Sequence, residues 1–221
     1  FRQWYQLKAY ANEQGISIIG DLPIYTAADS VEVWAHPELF ELNVLNRPAE
    51  VAGCPPDCFS ATGQLWGNPV YHWEQHKKTG YAWWIHRLGY VSKLFDMVRI
   101  DHFRGFESYY SIPAKKETAE HGTWMPGPGL ELFQAAQQKL GDLNILAEDL
   151  GNITPQVRKL LAETGYPGMK VLQFAFDSDA DNEFLPHNYT TSHCVVYTGT
   201  HDNDTLLPVS YTHLRAHETL S

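Results

Sequence analysis

Three acidic residues that each follow a short apolar strand place the strongest limit on what this chain can fold into. The strand and acid pairs are residues 95–101 ending in Asp101, residues 143–148 ending in Glu148, and residues 193–202 ending in Asp202. An ionised carboxylate beside a buried strand costs free energy unless a site uses it. Because the carboxyl ends of parallel strands meet at one edge of a sheet, we expect the three acids to converge on one active site.

Predicted strands and helices alternate along the chain. Strands are predicted over residues 16–25, 95–101, 143–148, 168–176 and 192–198, and helices over residues 1–14, 82–93, 129–140 and 155–164. This alternation favours an α/β fold with a parallel sheet. Since a closed (β/α)8 barrel needs eight strands, five strands predict a partial barrel of the TIM type that belongs to a larger enzyme.

The stretch from residue 26 to residue 81 lacks a clear period and is rich in proline. A connection of this length in a compact domain is usually a functional excursion, so we predict an irregular insertion that lines a cleft. Phe59 and Trp66 within it offer flat rings for stacking on sugars, although simple loop packing would explain them equally well.

Composition narrows the class of partner. The 221 residues are 43% hydrophobic and carry a formal charge of −10, which argues against nucleic acid or an anionic membrane and suits a neutral substrate. No apolar run approaches the roughly 20 residues of a membrane span. The chain starts at Phe1 rather than Met, and its composition leaves the oligomeric state open.

The cysteines and the acidic runs predict no metal site. Cys54, Cys58 and Cys194 lack the second ligand pair of a zinc site, so we predict free thiols in a reducing, cytoplasmic setting. The run Asp177–Asp181 resembles the start of a calcium loop, but it lacks the loop's glycine and its closing glutamate. We interpret it as a solvated turn.

Asp101 and Glu148 suit the two roles of retaining glycoside chemistry. Arg99 lies two residues before Asp101 on one strand, so both side chains point to the same side and the cation favours an ionised nucleophile. An apolar wall and a nearby Asp101 would keep Glu148 protonated, as a general acid requires. The structural alternatives are a buried Arg99–Asp101 ion pair, and a Glu148 or Asp149 that only caps the helix after Thr154.

At least five motifs resemble, in order and spacing, those of the 4-α-glucanotransferase family, also called amylomaltases or disproportionating enzymes. The resemblance runs from about residue 1 to Leu207, and its motifs are Gly20–Tyr25, Pro55–Phe59, Trp66–Asn68, Val98–Gly105, Leu146–Gly151 and Thr198–Thr205. This family belongs to the retaining barrels of the α-amylase superfamily. The resemblance therefore implies transfer of α-1,4-glucan segments between glucans and malto-oligosaccharides, without an organic cofactor.

The resemblance also implies a role for individual residues. Asp101 resembles the nucleophile, Glu148 the acid/base and Asp202 the group that stabilises the transition state. Asp21 would hold the sugar in the −1 subsite. The further substrate-binding positions implied by the motifs are Arg99, His201, Asp57, Phe59, Trp66 and Asn68.

Two departures from the family pattern shape the expected domain organisation. The first two and the last of the family's barrel strands have no counterpart, so residues 1–207 are expected to be an internal fragment of the catalytic barrel. From Pro208 onward the sequence no longer resembles the family. We interpret residues 208–221 as a non-family tail that derives from the translation of a sequencing adapter.

Three other functions remain open from the residues alone. A hydrolase of the same superfamily would use the same carboxylates with water as the acceptor. A non-catalytic fragment would bind glucans without turnover. A divalent-metal barrel enzyme is disfavoured because Arg99 competes for the Asp101 charge.

Overall fold

The structure is a computed structural model that describes residues 1–57, 60–176 and 180–203. The chain divides into two compact units, Phe1–Tyr166 and Pro167–Ser221. The elements of the first unit are α1 (Arg2–Glu13), β1 (Ile19–Pro23), α2 (Val31–Ala35), β2 (Glu50–Cys54), β3 (Gln64–Pro69), α3 (Trp73–Lys78), α4 (Ala82–Leu94), β4 (Met97–Asp101), β5 (Ser108–Pro113), β6 (Thr123–Pro126), α5 (Leu130–Leu140), β7 (Ile145–Ala147) and α6 (Pro155–Thr164). Short 3-10 helices lie at Pro37–Leu39 and Phe103–Phe106.

A three-stranded parallel sheet with the order β1-β4-β7 forms the centre of the first unit. Leu22, Ile100 and Ala147 lie side by side across the three strands, and all three are buried. Gly20 in β1 is required by packing, because a Cβ there would come within 2.0 Å of the Phe95 ring. The expected α/β fold with a parallel sheet is confirmed.

A second, antiparallel sheet with the order β3-β2-β5-β6 lies in the same unit. The interpretation of residues 26–81 as irregular is therefore wrong, since this stretch contains α2, β2, β3 and α3. Period-based reasoning missed the sheet because its outer strands do not alternate cleanly between buried and exposed residues, and β6 is exposed throughout.

Part of the core is an aromatic cluster, which we define as Tyr71, Trp73, His76, Trp83 and Trp84. The Tyr71 ring lies 4.9 Å from Trp73, 5.3 Å from His76 and 5.5 Å from Trp84, measured between ring centroids. Tyr71, His76 and Trp84 are almost fully buried. The aromatic-rich insertion thus contributes core packing as well as surface.

The ends of α6 follow the rules read from its sequence. The Thr154 hydroxyl accepts a hydrogen bond from the Val157 N–H at 3.3 Å, Pro155 occupies the first helical position, and Gly165 ends the helix with a φ of 69°. These are the preferred residues for such positions.

The second unit contains β8 (Gly168–Val171) and β9 (Cys194–Tyr197), which pair in parallel. The strand predicted over residues 168–176 is wrong in its second half, because the chain turns into a 3-10 helix at Leu172–Ala175. The predicted tail, residues 208–221, lies outside the described residues. None of the helices in the described ranges is long and apolar enough to cross a membrane.

Candidate active site

The carboxyl ends of β1 and β4 bring Asp21, Arg99 and Asp101 together. Arg99 donates from Nη1 to Asp21 Oδ1 at 2.7 Å, and its Nη2 lies 3.1 Å from Asp101 Oδ1. The Arg99 side chain is 12% exposed, whereas those of Asp21 and Asp101 are 51% and 42% exposed. The ion pair of the structural alternative therefore exists, but Asp101 is not buried in it, and both carboxylates are accessible to a ligand.

Arg99 stays positively charged in this setting. Burial alone would lower the pKa of its guanidinium, but the hydrogen bond to Asp21 and the charges of Asp21, Asp101 and Glu148 raise that pKa above its ordinary value. The guanidinium charge thus lies directly beside Asp101, the carboxylate predicted to act as the nucleophile.

Glu148 follows β7 directly and adjoins Asp101 in the sheet register. Ile100 pairs with Ala147, so the next residues of the two parallel strands, Asp101 and Glu148, extend toward the same side of the sheet. The Glu148 N–H donates to the Ile100 carbonyl at 3.0 Å, and the Phe103 N–H donates to the Glu148 carbonyl at 3.1 Å. The main chain thus fixes Glu148 against the end of β4.

Both carboxyl oxygens of Glu148 accept main-chain hydrogen bonds. The His102 N–H donates to Oε2 at 2.8 Å, and the Leu150 N–H donates to Oε1 at 2.7 Å. The alternative in which Glu148 only caps the following helix is therefore wrong, because Thr154 caps that helix.

The surroundings of Glu148 favour its protonated form near neutral pH. Burial raises the pKa of the Glu148 carboxyl to about 7, and the Asp101 charge adds to the rise. The hydrogen bonds from Leu150 and His102 and the Arg99 charge oppose it. A carboxyl group with this pKa can donate and later accept a proton near pH 7.

The antiparallel sheet supplies a wall beside these acids. Trp66 in β3 meets the His102 ring edge to face, with 4.8 Å between ring centroids. Asn68 donates to the Thr26 carbonyl at 2.9 Å, which ties β3 to the segment after β1. Both side chains are half-buried, and their contacts with His102 after β4 and Thr26 after β1 place them beside the carboxyl end of the parallel sheet.

The remaining predicted site residues are less closely defined. Asp57 is exposed and accepts a hydrogen bond from the Ser60 N–H at 2.8 Å. Phe59 lies outside the described residues. His201 and Asp202 belong to the second unit, where His201 Nε2 lies 3.3 Å from Asp202 Oδ1 and both side chains are about 70% exposed. Their roles stay predictions.

Sequence reasoning missed two residues next to Glu148. His102 adopts the left-handed conformation with a φ of 52°, which points its N–H at Glu148, and no sequence signal marks this. Arg104 is 5% exposed and holds the turn after Glu148. The sequence did offer one signal for Arg104, because it is a second arginine in the same apolar motif as Arg99. An arginine is rarely buried without partners, so its presence there indicates specific contacts.

Within the described parts of the chain, no group of three or more His, Cys, Asp or Glu side chains is placed to hold a metal ion. A cavity of about 290 Å³ between α5 and α6 contains none of the predicted site residues.

A carboxylate paired with an arginine and a carboxyl group of raised pKa, together at the carboxyl end of a parallel α/β sheet, are the groups that retaining glycoside chemistry uses. The family model described as 4-alpha-glucanotransferase matches residues 1–217, so the chain belongs to that family. The match extends into the segment 208–221 that the sequence motifs alone set apart.

Curated relatives and solved structures agree with this family. The chain is 61% identical over 207 residues to a 4-alpha-glucanotransferase of Synechocystis sp. and 58% identical over 208 residues to one of Thermus thermophilus, covering 93% and 94% of this chain. It spans only 41% and 42% of the length of these two relatives.

Two amylomaltase crystal structures resemble the chain. The amylomaltase from Streptococcus agalactiae in complex with acarbose superposes with a TM-score of 0.91 at 50% identity, over 94% of this chain and 42% of that one. The amylomaltase from Corynebacterium glutamicum gives 0.67 at 24% identity, over 78% of this chain and 24% of that one, which supports the fold alone.

Proposed function

We propose that this chain carries the catalytic centre of an enzyme that transfers α-1,4-glucan segments from a donor to an acceptor glucan with retention. One observation carries the proposal: Glu148, with a pKa raised to about 7, adjoins in register an Asp101 that is paired with Arg99. Retaining glycoside chemistry needs one ionised carboxylate and one protonated carboxyl group that flank the scissile glycosidic bond at a short distance from each other. Family membership supports the same chemistry.

The two acids would act in two displacement steps. An Asp101 carboxylate oxygen attacks the anomeric carbon, and the bond to the leaving oxygen breaks as Glu148 gives that oxygen its proton. A covalent glucosyl ester on Asp101 results. Glu148 then removes the proton of an acceptor 4-hydroxyl, whose oxygen attacks the same carbon and releases Asp101.

The other predicted residues would bind the sugar around this bond. Asp21, held by Arg99, would hydrogen-bond the ring hydroxyls in the −1 subsite. Asp202 with His201 would favour the oxocarbenium-like transition state. The proposed acceptor side is the wall formed by Trp66 and Asn68 together with the loop of Asp57 and Phe59.

The proposed architecture around the site is a partial (β/α)8 barrel over residues 1–207, with residues 26–81 lining the cleft. The parallel order β1-β4-β7, with α4 before β4 and α5 before β7, supports a barrel-type arrangement. Among the described residues, the free thiols of Cys54 and Cys194 support a reducing, cytoplasmic setting for this enzyme of glucan metabolism.

The test uses a completed enzyme, in which residues 1–203 of this chain replace the aligned segment of the Synechocystis 4-alpha-glucanotransferase. It is incubated with maltotriose, and the products are separated by length. Transfer gives glucose together with oligomers longer than maltotriose, whereas hydrolysis gives glucose and maltose without longer products.

The matched variants are Asp101→Asn and Glu163→Gln. Glu163 is an exposed acid on α6 that pairs only loosely, at 3.8 Å, with Lys159, so its variant should transfer normally. Longer products from the unmodified enzyme that vanish in Asp101→Asn support the proposal. Hydrolysis products alone would favour the hydrolase, and maltotriose binding without any turnover would favour a binding fragment.

A further inference from the structure

The turn that follows Glu148 supplies one of the two main-chain N–H groups that donate hydrogen bonds to the Glu148 carboxyl group. Residues 148–152 curl back so that the Leu150 N–H reaches Glu148 Oε1 at 2.7 Å. Gly151 has a φ of 82°, a conformation that side chains other than glycine and asparagine rarely adopt. The direction of the Leu150 N–H therefore depends on the shape of this turn.

Arg104 fixes the far end of the same turn. Its Nη1 donates to the Asn152 carbonyl at 2.6 Å, and its Nη2 donates to the Ser108 hydroxyl at 3.1 Å. The guanidinium lies 3.9 Å from the centre of the Trp124 ring, and the residue is 5% exposed. Burying a charged side chain is costly, so such a fully enclosed arginine is placed by specific contacts.

We propose that Arg104 is a positioning residue: by holding the Asn152 carbonyl it keeps the turn closed and the Leu150 N–H on Glu148. This inference rests on the proposed function of Glu148 as acid/base. Arg104 itself belongs to the 3-10 helix Phe103–Phe106, which starts two residues after Asp101, so one short segment connects the nucleophile to the support of its partner acid.

The titratable groups that face Glu148 lie on β4 and at the end of β2, in two different sheets. Arg99 and Asp101 lie on β4, and burial is the first cause that raises the pKa of the Cys54 thiol to about 11, so this thiol is neutral near pH 7. His102 is neutral as well, because burial lowers the pKa of its imidazole to about 3. The Arg104 charge lowers the pKa of both groups, but burial is the larger cause in each, so both stay neutral near pH 7 when Arg104 is replaced.

Two pairs of variants of the completed enzyme test the proposal. Arg104→Met removes the hold on Asn152, whereas Ser108→Ala removes only the other partner of Arg104. Gly151→Val forces the turn out of its conformation, whereas Gly151→Asn tolerates it. A Cβ at Gly151 would meet no atom within 4 Å, so the valine acts through backbone strain rather than a clash.

The readout is the titration of the Glu148 carboxyl carbon by NMR, with its signal identified by loss in Glu148→Gln. Loss of one N–H bond to a carboxylate raises its pKa by roughly one unit. Arg104→Met and Gly151→Val should each raise the Glu148 pKa by about that amount, and Ser108→Ala and Gly151→Asn should leave it in place. The basic limb of kcat/KM for maltotriose should move to higher pH in the same two variants.

A double variant separates this role from general destabilisation. If Arg104 and Gly151 act on the same N–H bond, Arg104→Met combined with Gly151→Val should shift the titration no further than either alone. Additive shifts, or no shift in a folded Arg104→Met protein, overturn the proposal. Should Arg104→Met not fold, Arg104→Lys keeps the charge but loses the fork, and an unshifted titration there overturns it equally.

The NMR titration needs no turnover, so the two proposals fail separately. A shifted Glu148 titration in an enzyme that leaves maltotriose unchanged contradicts the proposed function and keeps the positioning role. Normal transfer with an unshifted titration contradicts only the positioning role.

Discussion

At the end of the parallel sheet, Glu148 is half-buried beside two main-chain donors and two charged neighbours, while in the aromatic cluster His76 is fully buried among rings. His76 Nε2 lies 3.2 Å from the Leu39 carbonyl, and its Nδ1 has no hydrogen-bond partner within the described residues. Burial raises the pKa of Glu148 to about 7 and lowers the pKa of His76 to about 4. Both regions favour the neutral form of the side chain. Glu148 stays available for proton transfer, whereas His76 is enclosed by the core.

The comparison has a consequence for stability. A raised carboxyl pKa stabilises the fold at low pH, and this contribution is lost as pH rises from about 4.5 to about 7. A lowered histidine pKa stabilises the fold at high pH, and this contribution is lost as pH falls from 6.5 to about 4. The two slopes oppose each other over almost the same range and should largely cancel.

The largest effect is expected at the end of the parallel sheet, where Asp101 lies beside Glu148. Asp101→Asn in the completed enzyme should lower kcat/KM for maltotriose by at least about 10³-fold, because the variant lacks the covalent nucleophile. Steady-state product analysis measures it. Near-normal activity would show that Asp101 is not the nucleophile.

Arg99, Asp101 and Glu148 could be predicted from the sequence because each lies in or directly after a short strand. Arg99 and Asp101 lie two residues apart on a strand, and the period of two places them on one side without knowledge of the rest of the fold. Glu148 was found because it directly follows an apolar strand. Their assignment as a site needed only local order and the rule for parallel sheets.

What the sequence did not reveal depends on distant parts of the chain. The left-handed His102 and the buried Arg104 serve contacts to residues 148–152, some 46 to 48 positions away. β5 and β6 pair with strands whose exposure does not alternate, and His76 became a core residue only because Tyr71, Trp73 and Trp83 surround it. Such features follow from tertiary packing rather than from local pattern.

Glu148→Gln should remove the contribution of this residue to the pH dependence of the unfolding free energy. A pKa displaced from 4.5 to about 7 corresponds to about 3 kcal/mol at roughly 1.4 kcal/mol per unit. The difference in unfolding free energy between the two proteins should therefore change by up to that amount from pH 4.5 to pH 7, in favour of the variant at the higher pH. Urea unfolding at several pH values provides the measurement, and a constant difference would contradict the raised pKa.

His76→Phe should change stability with the opposite sign and by up to about 3 kcal/mol between pH 6.5 and pH 4, in favour of the variant at the lower pH. The Leu39 carbonyl keeps the hydrogen bond from the His72 N–H at 2.9 Å, so the substitution leaves that acceptor paired. His72 and Glu38 are the titratable groups that face His76. If both variants tilt the pH curve in the same direction, the comparison of the two regions is wrong.

The smallest effect is expected away from both regions. Glu163→Gln removes a surface contact of 3.8 Å between side chains that are 74% and 42% exposed, so the unfolding free energy should change by less than about 0.5 kcal/mol. Differential unfolding at pH 7 checks it. A larger loss would show that the surface of α6 contributes to the stability of the sheet behind it.

The two main-chain donors on Glu148 come from segments that follow different strands, His102 after β4 and Leu150 after β7. Neither segment alone encloses the carboxyl group, so the side chain acquires its native environment only when the two strands have docked. A single labelled carbon at Glu148 would then act as a clock for folding. The chemical shift of this carbon can be followed during refolding after dilution out of denaturant. The time at which it leaves the unfolded value marks the pairing of β4 with β7.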